Sequence, residues 1–394
     1  MKRWAAMLLF VLTPACGMAA PAWVTTWMAV PDTVGPAMPA LSLRQALRTS
    51  VGGDNVRVRL SNELGTTPLV VGAARLARSA GGAAIEPGSD HALAFAGQPQ
   101  VTIAPGESVL SDPLAMPVAA LQELAISLYL PQGSARATLH GEGLQLAYLA
   151  RGGDLTAAAV MPAAETDDSR YFVASVEVLA TSSPRTVVVL GDSIADGVGS
   201  STGAQARWPD LLAARLAPSS VAVLNAGVAG NRLLRDGAKP FVGPSMLARL
   251  QRDVLDRQGV RWLLLHGGVN DIAASDMLAV PEQQASAQDI IAGMQTLLQR
   301  AHAAGIRVCA ATLPPHGGVG KPFIHSAEGE AKRQAVNAWI RTAGQFDAVA
   351  DVDMQLRDPA QPDRLLPAYD SGDHLHPNDR GYRAMAEATP ALPL

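Results

Sequence analysis

The segment Thr186-Val-Val-Val-Leu190 runs directly into Gly191-Asp-Ser-Ile-Ala-Asp-Gly197. The first part is a short apolar run typical of a buried strand, and glycines flank the turn that follows it. This arrangement predicts that Ser193 lies at the tip of a strand with its hydroxyl exposed. Gly-Asp-Ser is also a common turn sequence, so the interpretation needs support from the rest of the chain.

Further apolar runs follow, separated by longer stretches of helical periodicity. The clearest helix has apolar residues at helical spacing from Ile290 to Ala301, with Ser286 and Asp289 spaced as a capping box before it and Gly305 after it. Alternating strands and helices predict an α/β region over residues 185–394, with a parallel sheet and helices on both faces. The predicted strands are Thr186–Leu190, Val221–Leu224, Trp262–Leu265, Ile306–Ala311 and Ala348–Val352.

Residues 21–180 follow a different pattern. Val56–Leu60 and Ile126–Leu130 alternate apolar with polar side chains, which predicts strands with one face in a core and the other in water. Shorter candidates, such as Leu144–Leu146, are separated by Gly, Pro, Asn and Asp. We therefore predict an all-β, sandwich-like domain. Glycan binding, shaping of a cleft and simple stabilisation all stay open as its role.

Near the end of the chain, Asp373 lies three residues before His376 in a turn that contains Pro377. At this spacing a carboxylate can accept a hydrogen bond from one ring nitrogen while the other nitrogen faces a serine. A serine hydroxyl is a weak nucleophile until a base removes its proton. We therefore predict Ser193 as nucleophile, His376 as base and Asp373 as the group that orients the base. His374 lacks this spacing and is interpreted as a loop histidine.

Two segments fit an oxyanion hole, which stabilises the charge that develops on a reacting carbonyl. One is the glycine-rich turn at residues 225–231, with Gly230 as a backbone donor; the other is Gly267–Asp271, with Asn270 as a side-chain donor. Both follow predicted strands, as Ser193 does, and ligands of open parallel sheets bind at that edge. Asp196 and Asp271 are expected to brace these loops.

These segments, in this order, resemble the SGNH (GDSL-type) hydrolase family. The matching residues are Gly191-Asp-Ser193, Gly230, Gly268-Val-Asn270-Asp271 and Asp373-His-Leu-His376; Ile194 stands where the family name has Leu. The resemblance implies a flavodoxin-like sheet, an acyl-enzyme mechanism without metal or cofactor, and oxyanion donors from the Ser193 and Gly230 amides and the Asn270 side chain. The domain order is similar to that of secreted bacterial carbohydrate esterases with an N-terminal β domain.

Other patterns compete with this interpretation. Gly199-Ser-Ser201-Thr-Gly203 matches the nucleophile elbow of another hydrolase fold, which needs a strand directly before it. Asp373, His374 and His376 offer metal-ligand types. Among the other histidines, His266 is expected in the core or at its rim, and His316 could line the site. Trp208, at the start of a predicted helix, is interpreted as packing.

Composition and the chain start limit the classes of function. A formal net charge of -4 with no basic stripe argues against nucleic acid as a partner. Residues 1–20 have the charged start, apolar middle and small-residue exit of a signal peptide, which predicts a secreted or periplasmic protein without a transmembrane segment. Lipidation of Cys16 is the less favoured alternative. Cys309 lies in an apolar run and is expected to be an inert core thiol.

The sequence therefore predicts a secreted serine ester hydrolase that acts on short-chain esters, with acetyl groups of a carbohydrate as the favoured substrate. A small-molecule or polysaccharide ester would be its partner, and its oligomeric state stays open. A lipase, lysophospholipase or thioesterase with the same triad is the first alternative. A non-catalytic glycan-binding protein is an alternative of a different class.

Overall fold

The structure is a computed structural model that describes residues 21–180, 184–237, 242–278, 280–320 and 325–394. The predicted signal peptide and Cys16 lie outside the described residues. Within the described part, no helix combines the length and the apolar character that are needed to cross a membrane.

Residues 22–180 form antiparallel strands that build two main sheets around one core. The first sheet has the order β1-β17-β4-β10 with β11 beside β4, and the second has the order β15-β14-β3-β12-β6-β7 with β8 beside β6. This is the expected sandwich-like all-β region. The strands are β1 Ala22–Met28, β2 Thr33–Val34, β3 Leu41–Arg48, β4 Gly53–Ser61, β5 Leu69–Val71, β6 Ala73–Gly81, β7 Ala84–Ile85, β8 His91–Ala92, β9 Val101–Ile103, β10 Ser108–Leu110, β11 Leu114–Val118, β12 Glu123–Leu130, β13 Thr138–His140, β14 Ala147–Ala150, β15 Glu165–Asp167, β16 Arg170–Tyr171 and β17 Val173–Ala180.

The outer face of the second sheet is partly covered, which the alternation did not predict. Ser127 in β12 is buried because Arg44 in β3 lies beside it and donates from Nε to its Oγ at 2.8 Å. The Arg44 guanidinium also donates to the carbonyl oxygens of residues 83, 156 and 158. The expectation that this side of β12 faces water was therefore wrong. A buried guanidinium is tolerated there because backbone oxygens satisfy its donors.

The predicted strand at Leu144–Leu146 was also wrong. These residues are irregular, Leu144 has a left-handed φ of 49°, and β14 begins only at Ala147. The carbonyl of Leu144 instead accepts a hydrogen bond from the amide of Gly203 in the second half of the chain, at 2.9 Å. Through this bond the segment contacts the α/β region instead of pairing with a strand of the sheet.

Residues 186–388 form the expected α/β region. Its five parallel strands have the order β19-β18-β20-β21-β22, which is the 2-1-3-4-5 order of flavodoxin-like sheets. The elements are β18 Thr186–Gly191, α1 Ser193–Asp196, α2 Trp208–Leu216, β19 Ala222–Gly227, α3 Met246–Leu250, β20 Val260–Leu265, α4 Val269–Leu278, α5 Ala287–Ala303, β21 Arg307–Ala311, α6 Ala327–Thr342, β22 Ala348–Ala350, α7 Val352–Leu356, β23 Arg357–Asp358, β24 Gln361–Leu365 and α8 Asp379–Ala388, with short 3-10 turns at Ala217–Ser219 and Pro281–Gln283 and a π-turn at Gln251–Leu255.

Helices cover both faces of this sheet. Alternate residues of β18 point to opposite cores: Val188 and Leu190 pack with α3, α5 and α6, whereas Val187 and Val189 pack with α2, α7 and α8. The predicted capping box of α5 is present. Two other predictions are confirmed: Trp208 is fully buried packing, and Cys309 is a buried thiol whose pKa burial raises to about 12.

The two halves of the chain share buried surface. Strand β1 lies beside β19, the edge strand of the parallel sheet; Met28 joins the core of the α/β half, and Ala222 joins the core of the β half. Arg48 in β3 donates from Nη2 to the carbonyl of Asp210 in α2, at 3.1 Å. Covering β19 in this way protects its unpaired edge from water and from other chains.

Candidate active site

The nucleophile candidate sits where the central strand meets a very short helix. Strand β18 ends at Gly191, Asp192 caps the next helix by accepting from the amide of Ile194 at 3.0 Å, and Ser193 is the first residue of α1. The helix ends after one turn at Gly197, which has a φ of 110°. The side chain of Ser193 therefore lies at the carboxyl edge of the sheet, as the sequence predicted.

His376 and Asp373 extend a chain of hydrogen bonds from this serine. His376 Nε2 lies 2.8 Å from Ser193 Oγ, and its Nδ1 lies 2.6 Å from Asp373 Oδ2. The other carboxylate oxygen of Asp373 accepts the amides of Leu375 and His376, at 2.9 and 2.8 Å. Partial burial alone would raise the pKa of Asp373, but the bonds from the His376 ring and backbone outweigh it and hold this pKa well below its usual value.

The nucleophile loop and the histidine turn touch at Gly199. This residue has a φ of 92°, and a Cβ there would lie 2.7 Å from the carbonyl oxygen of Pro377 and 3.0 Å from Cβ of His376. Next to it, the amide of Ser201 donates to Asp379 Oδ1 at 2.7 Å. These contacts set the distance between the two loops that carry Ser193 and His376.

The predicted oxyanion segments lie next to each other at the same edge of the sheet. Gly230 follows β19 with a φ of 74°, and Asn270 lies in the first turn of α4, after β20. Asn270 Nδ2 donates to the carbonyl of Asn231 at 3.0 Å, which joins the two segments directly. An amide nitrogen carries two N–H bonds, so this contact uses one of them.

A family model for GDSL-like lipases and acylhydrolases matches residues 189–384, the part of the chain that contains all of these segments. Residues 189–384 belong to the GDSL-like lipase/acylhydrolase family. A search of curated proteins found no match.

Solved structures with this fold are similar to about half of the chain. An aryl esterase from M. smegmatis is 16% identical, with a TM-score of 0.41 over 52% of this chain and 95% of its own. A carbohydrate acetylesterase from Sinorhizobium meliloti is 15% identical, with a TM-score of 0.40 over 52% and 95%. A GDSL-like lipase from Bacteroides thetaiotaomicron is 19% identical, with a TM-score of 0.38 over 52% and 84%.

Arg249 joins the loops of the candidate site at the end of the sheet, and no pattern in the sequence indicated this role. Its guanidinium is buried and donates to the carbonyls of Gly191 at 2.8 Å and Ala226 at 2.7 Å, and to Oδ1 of Asn231 at 3.0 Å. Asp253 accepts from Nη1 at 3.0 Å and balances the charge. In sequence the two residues look like an ordinary i, i+4 pair on an exposed helix, which conceals their role.

The bracing role expected of Asp271 is confirmed by its contacts. Its carboxylate accepts the amides of Leu233 at 2.7 Å and Leu234 at 3.1 Å, just after the turn that contains Gly230. Burial raises the pKa of Asp271 to about 6, against the opposing effect of these bonds.

His266 lies fully inside the core rather than at its rim. Its Nδ1 is 3.1 Å from Oδ1 of Asp192, the residue that caps the nucleophile helix, and its ring packs edge-on against Trp208. His316 is buried beside His325, and burial together with Arg333 lowers its pKa to about 4. Neither His266 nor His316 is therefore the base that is expected for Ser193.

Two competing interpretations lose support. The residues directly before Gly199 form α1 and a turn rather than the strand that a nucleophile elbow needs, which contradicts the elbow hypothesis for residues 199–203. In the histidine turn, His374 Nδ1 lies 2.5 Å from Asp370 Oδ2, while His376 is held by Asp373. Each ring is thus held by its own carboxylate, whereas metal ligands converge on one point.

Replacement of Gly199 by Ala should separate the two loops. The added Cβ meets a backbone oxygen that cannot move alone, so we expect His376 to shift and kcat/KM for a simple ester to fall by at least about tenfold. Gly203→Ala is the matched control: its φ of 80° imposes a similar backbone cost, but a Cβ there meets nothing within 4 Å. Equal activity of both variants would contradict the proposed role of the Gly199 contact.

Proposed function

We propose that this protein is a secreted serine ester hydrolase that removes short acyl groups, with acetyl esters of carbohydrates as its substrate class. Ser193 is the nucleophile, His376 the general base and acid, and Asp373 the group that fixes the tautomer and orientation of His376. The observation that carries the proposal is the hydrogen-bond chain from Asp373 through His376 to Ser193, at 2.6 and 2.8 Å.

The chemistry follows from this geometry. His376 Nε2 takes the proton of Ser193 Oγ as the oxygen attacks the ester carbonyl and forms a tetrahedral oxyanion. Collapse of this intermediate breaks the bond to the alcohol, which leaves with the proton from His376. Water then attacks the acyl-serine with His376 again as base, and the acid departs as Ser193 regains its proton.

The oxyanion is assigned to the amides of Ser193 and Gly230 and the side-chain amide of Asn270. The positions of these residues after β18, β19 and β20, three adjacent strands, support the assignment. Arg249 and the bond from Asn270 to Asn231 hold these segments rigidly. Donors fixed in advance are effective because they need no reorganisation when charge develops.

The surroundings of the triad support a polar alcohol and a short acyl group. The turn beside His376 presents Ser371, Gly372, Asp373 and His374 to solvent. A long acyl chain would need a continuous apolar surface. Among described residues, the exposed large apolar side chains are instead scattered along the chain: Leu146, Val160, Val280 and Met354. Secretion rests on residues 1–20 and stays a prediction from the sequence.

Ser193→Ala should abolish turnover because it removes the only proposed nucleophile. We expect kcat for p-nitrophenyl acetate to fall by at least about 10³-fold while the thermal midpoint stays near that of the wild type. Ser201→Ala, in the rejected elbow motif, is the matched control, since only its backbone amide makes the contact with Asp379. Full activity of Ser193→Ala would contradict the assignment, and loss of activity in Ser201→Ala would revive the elbow.

Asn270→Ala should remove one oxyanion donor. We expect a loss of about 10²–10³-fold in kcat with KM nearly unchanged, since the donor acts mainly on the transition state. Steady-state kinetics on the same ester separate the two constants. A rise in KM at constant kcat would instead assign Asn270 to substrate binding.

The substrate class is tested with p-nitrophenyl esters of increasing chain length and with peracetylated glucose. We expect kcat/KM to be highest for acetate and to fall by about tenfold or more by octanoate, because the described residues beside His376 present polar groups rather than a continuous apolar surface to a longer chain. Acetate release from the sugar would support the carbohydrate assignment. A maximum at octanoate would favour a lipase or thioesterase, and retention on polysaccharide without hydrolysis would favour a binding protein.

A further inference from the structure

A buried histidine from the β half reaches the helix that carries Ser193. His140, the last residue of β13, has its Nε2 3.0 Å from Oδ1 of Asp196, the last residue of α1. On the other side of the ring, Nδ1 lies 2.8 Å from Oδ2 of Asp32 and 3.0 Å from the carbonyl oxygen of Val30. All three titratable side chains are buried, with exposed fractions of 6% or less.

The arrangement requires a charged ring. Nδ1 is hydrogen bonded to the carbonyl oxygen of Val30 and Nε2 to the carboxylate of Asp196. Both of these oxygens only accept, so each nitrogen must carry an N–H, and Asp32, whose Oδ2 lies 2.8 Å from Nδ1, forms an ion pair with the charged ring. Burial alone would lower the pKa of His140, but Asp196 and Asp32 outweigh it and raise this pKa well above its usual value. The other charged groups that act on this cluster are Glu142, which interacts with all three members, Arg207 and Arg249, which act on Asp196, and Arg252, which acts on Asp32.

Asp196 is in a position to fix the nucleophile. It lies one helical turn after Ser193, and its carbonyl accepts from Asn225 Nδ2 at 3.1 Å. The end of β19 packs directly on its backbone, since a Cβ at Gly227 would lie 2.2 Å from the Asp196 nitrogen. Through its bond to Nε2 of His140, the side chain of Asp196 is held by the β half.

The same three residues have the donor types of a metal site, but their geometry fits an ion cluster better. Metal ligands converge on one point at about 2 Å. Here the two carboxylates lie on opposite nitrogens of one ring, at hydrogen-bond distances of 2.8 and 3.0 Å. One oxygen of each carboxylate and one ring nitrogen lie within 4.8 Å of one another, so the metal alternative is kept as an outcome of the test below.

We propose, on the basis of the ester hydrolysis proposed above, that His140 is a positioning residue for Ser193. Its imidazolium, held between Asp32 and Asp196, fixes the orientation of α1 and so makes the β half a working part of the catalytic unit. The region at residues 21–180 is then not a separable accessory module. Because the ring of His140 is buried, in this role it neither binds the substrate nor transfers a proton to it.

The proposal implies a loss of activity at alkaline pH. A histidine whose pKa is raised on folding contributes stability that is complete below its unfolded pKa, about 6.5, and lost as pH rises through the folded pKa. The neutral ring keeps one N–H, so either the Asp196 carboxylate or the Val30 carbonyl loses its donor, and the ion pairs of the ring with Asp32 and Asp196 are lost. Helix α1 should loosen, and kcat should decline at high pH.

The test compares His140→Gln with the wild type by steady-state kinetics on p-nitrophenyl acetate, from neutral to strongly alkaline pH. We expect kcat to fall by about tenfold or more, KM to stay within about twofold, and the alkaline decline to disappear. Asp32→Asn leaves the His140–Asp196 bond in place but removes one of the charges that stabilise the imidazolium. It should therefore move the alkaline decline to lower pH, which a purely structural role would not do.

Arg48→Gln is the matched control, because it removes a hydrogen bond between the two halves that does not touch α1. It should keep the wild-type kcat and pH profile. If His140→Gln keeps the wild-type kcat and the wild-type pH dependence of kcat, the proposal is overturned. If that variant does not fold, the proposal is overturned when the alkaline decline of Asp32→Asn occurs at the same pH as that of the wild type. Loss of wild-type activity with EDTA, restored by Zn²⁺, would also overturn it in favour of a metal site.

Wild-type and Ser193→Ala proteins are measured in the same series. A folded wild type that hydrolyses no ester would contradict the proposed function. An active wild type, an inactive Ser193→Ala and an unaffected His140→Gln would contradict the positioning role alone.

Discussion

The sheet edge that carries the candidate active site depends on one buried guanidinium. Arg249 joins the last residue of β18, the end of β19 and the side chain of Asn231, so the nucleophile loop and the glycine turn share one anchor. A buried charge is costly unless it is paired and its donors are satisfied. Asp253 and the three oxygen acceptors meet both conditions. Loop positions that would otherwise be independent are thereby fixed relative to one another.

The short helix α1 is held in a similar way at each end. Asp192, before it, is bonded to the buried ring of His266; Asp196, at its end, is bonded to His140 from the β half. A four-residue helix has too few internal hydrogen bonds to be stable alone. Its orientation therefore comes from these tertiary contacts, and one of them crosses between the halves of the chain.

Sequence reasoning succeeded where structure is set locally. The parallel strands, the capping box of α5 and the Asp373–His376 turn depend on periodicity or on spacings of three residues, so one stretch of sequence contains the information. Sequence reasoning failed where a residue that is distant in sequence determines the local structure. Arg249 and Asp253 look like an exposed helix pair, and Leu144–Leu146 looks like a strand until Gly203 takes its backbone carbonyl. The carbonyls of Gly191 and Ala226, which Arg249 binds, and the amide of Gly203 lie far away in the sequence, so no local pattern reveals these contacts.

This division also explains how the proposed triad of Ser193, His376 and Asp373 is assembled. Asp373 is half exposed, yet its carboxylate accepts bonds from its own turn, so the hydrogen bonds that orient the Asp–His pair are local in sequence. The orientation of Ser193, in contrast, depends on tertiary contacts of its short helix as well as on the local Asp192 cap. The Ser–His distance therefore depends on where two separately built units meet, at the close approach of Gly199 to Pro377. Because Gly199 has no side chain, the two backbones approach each other directly. The distance between Ser193 and His376 can therefore vary little at this contact.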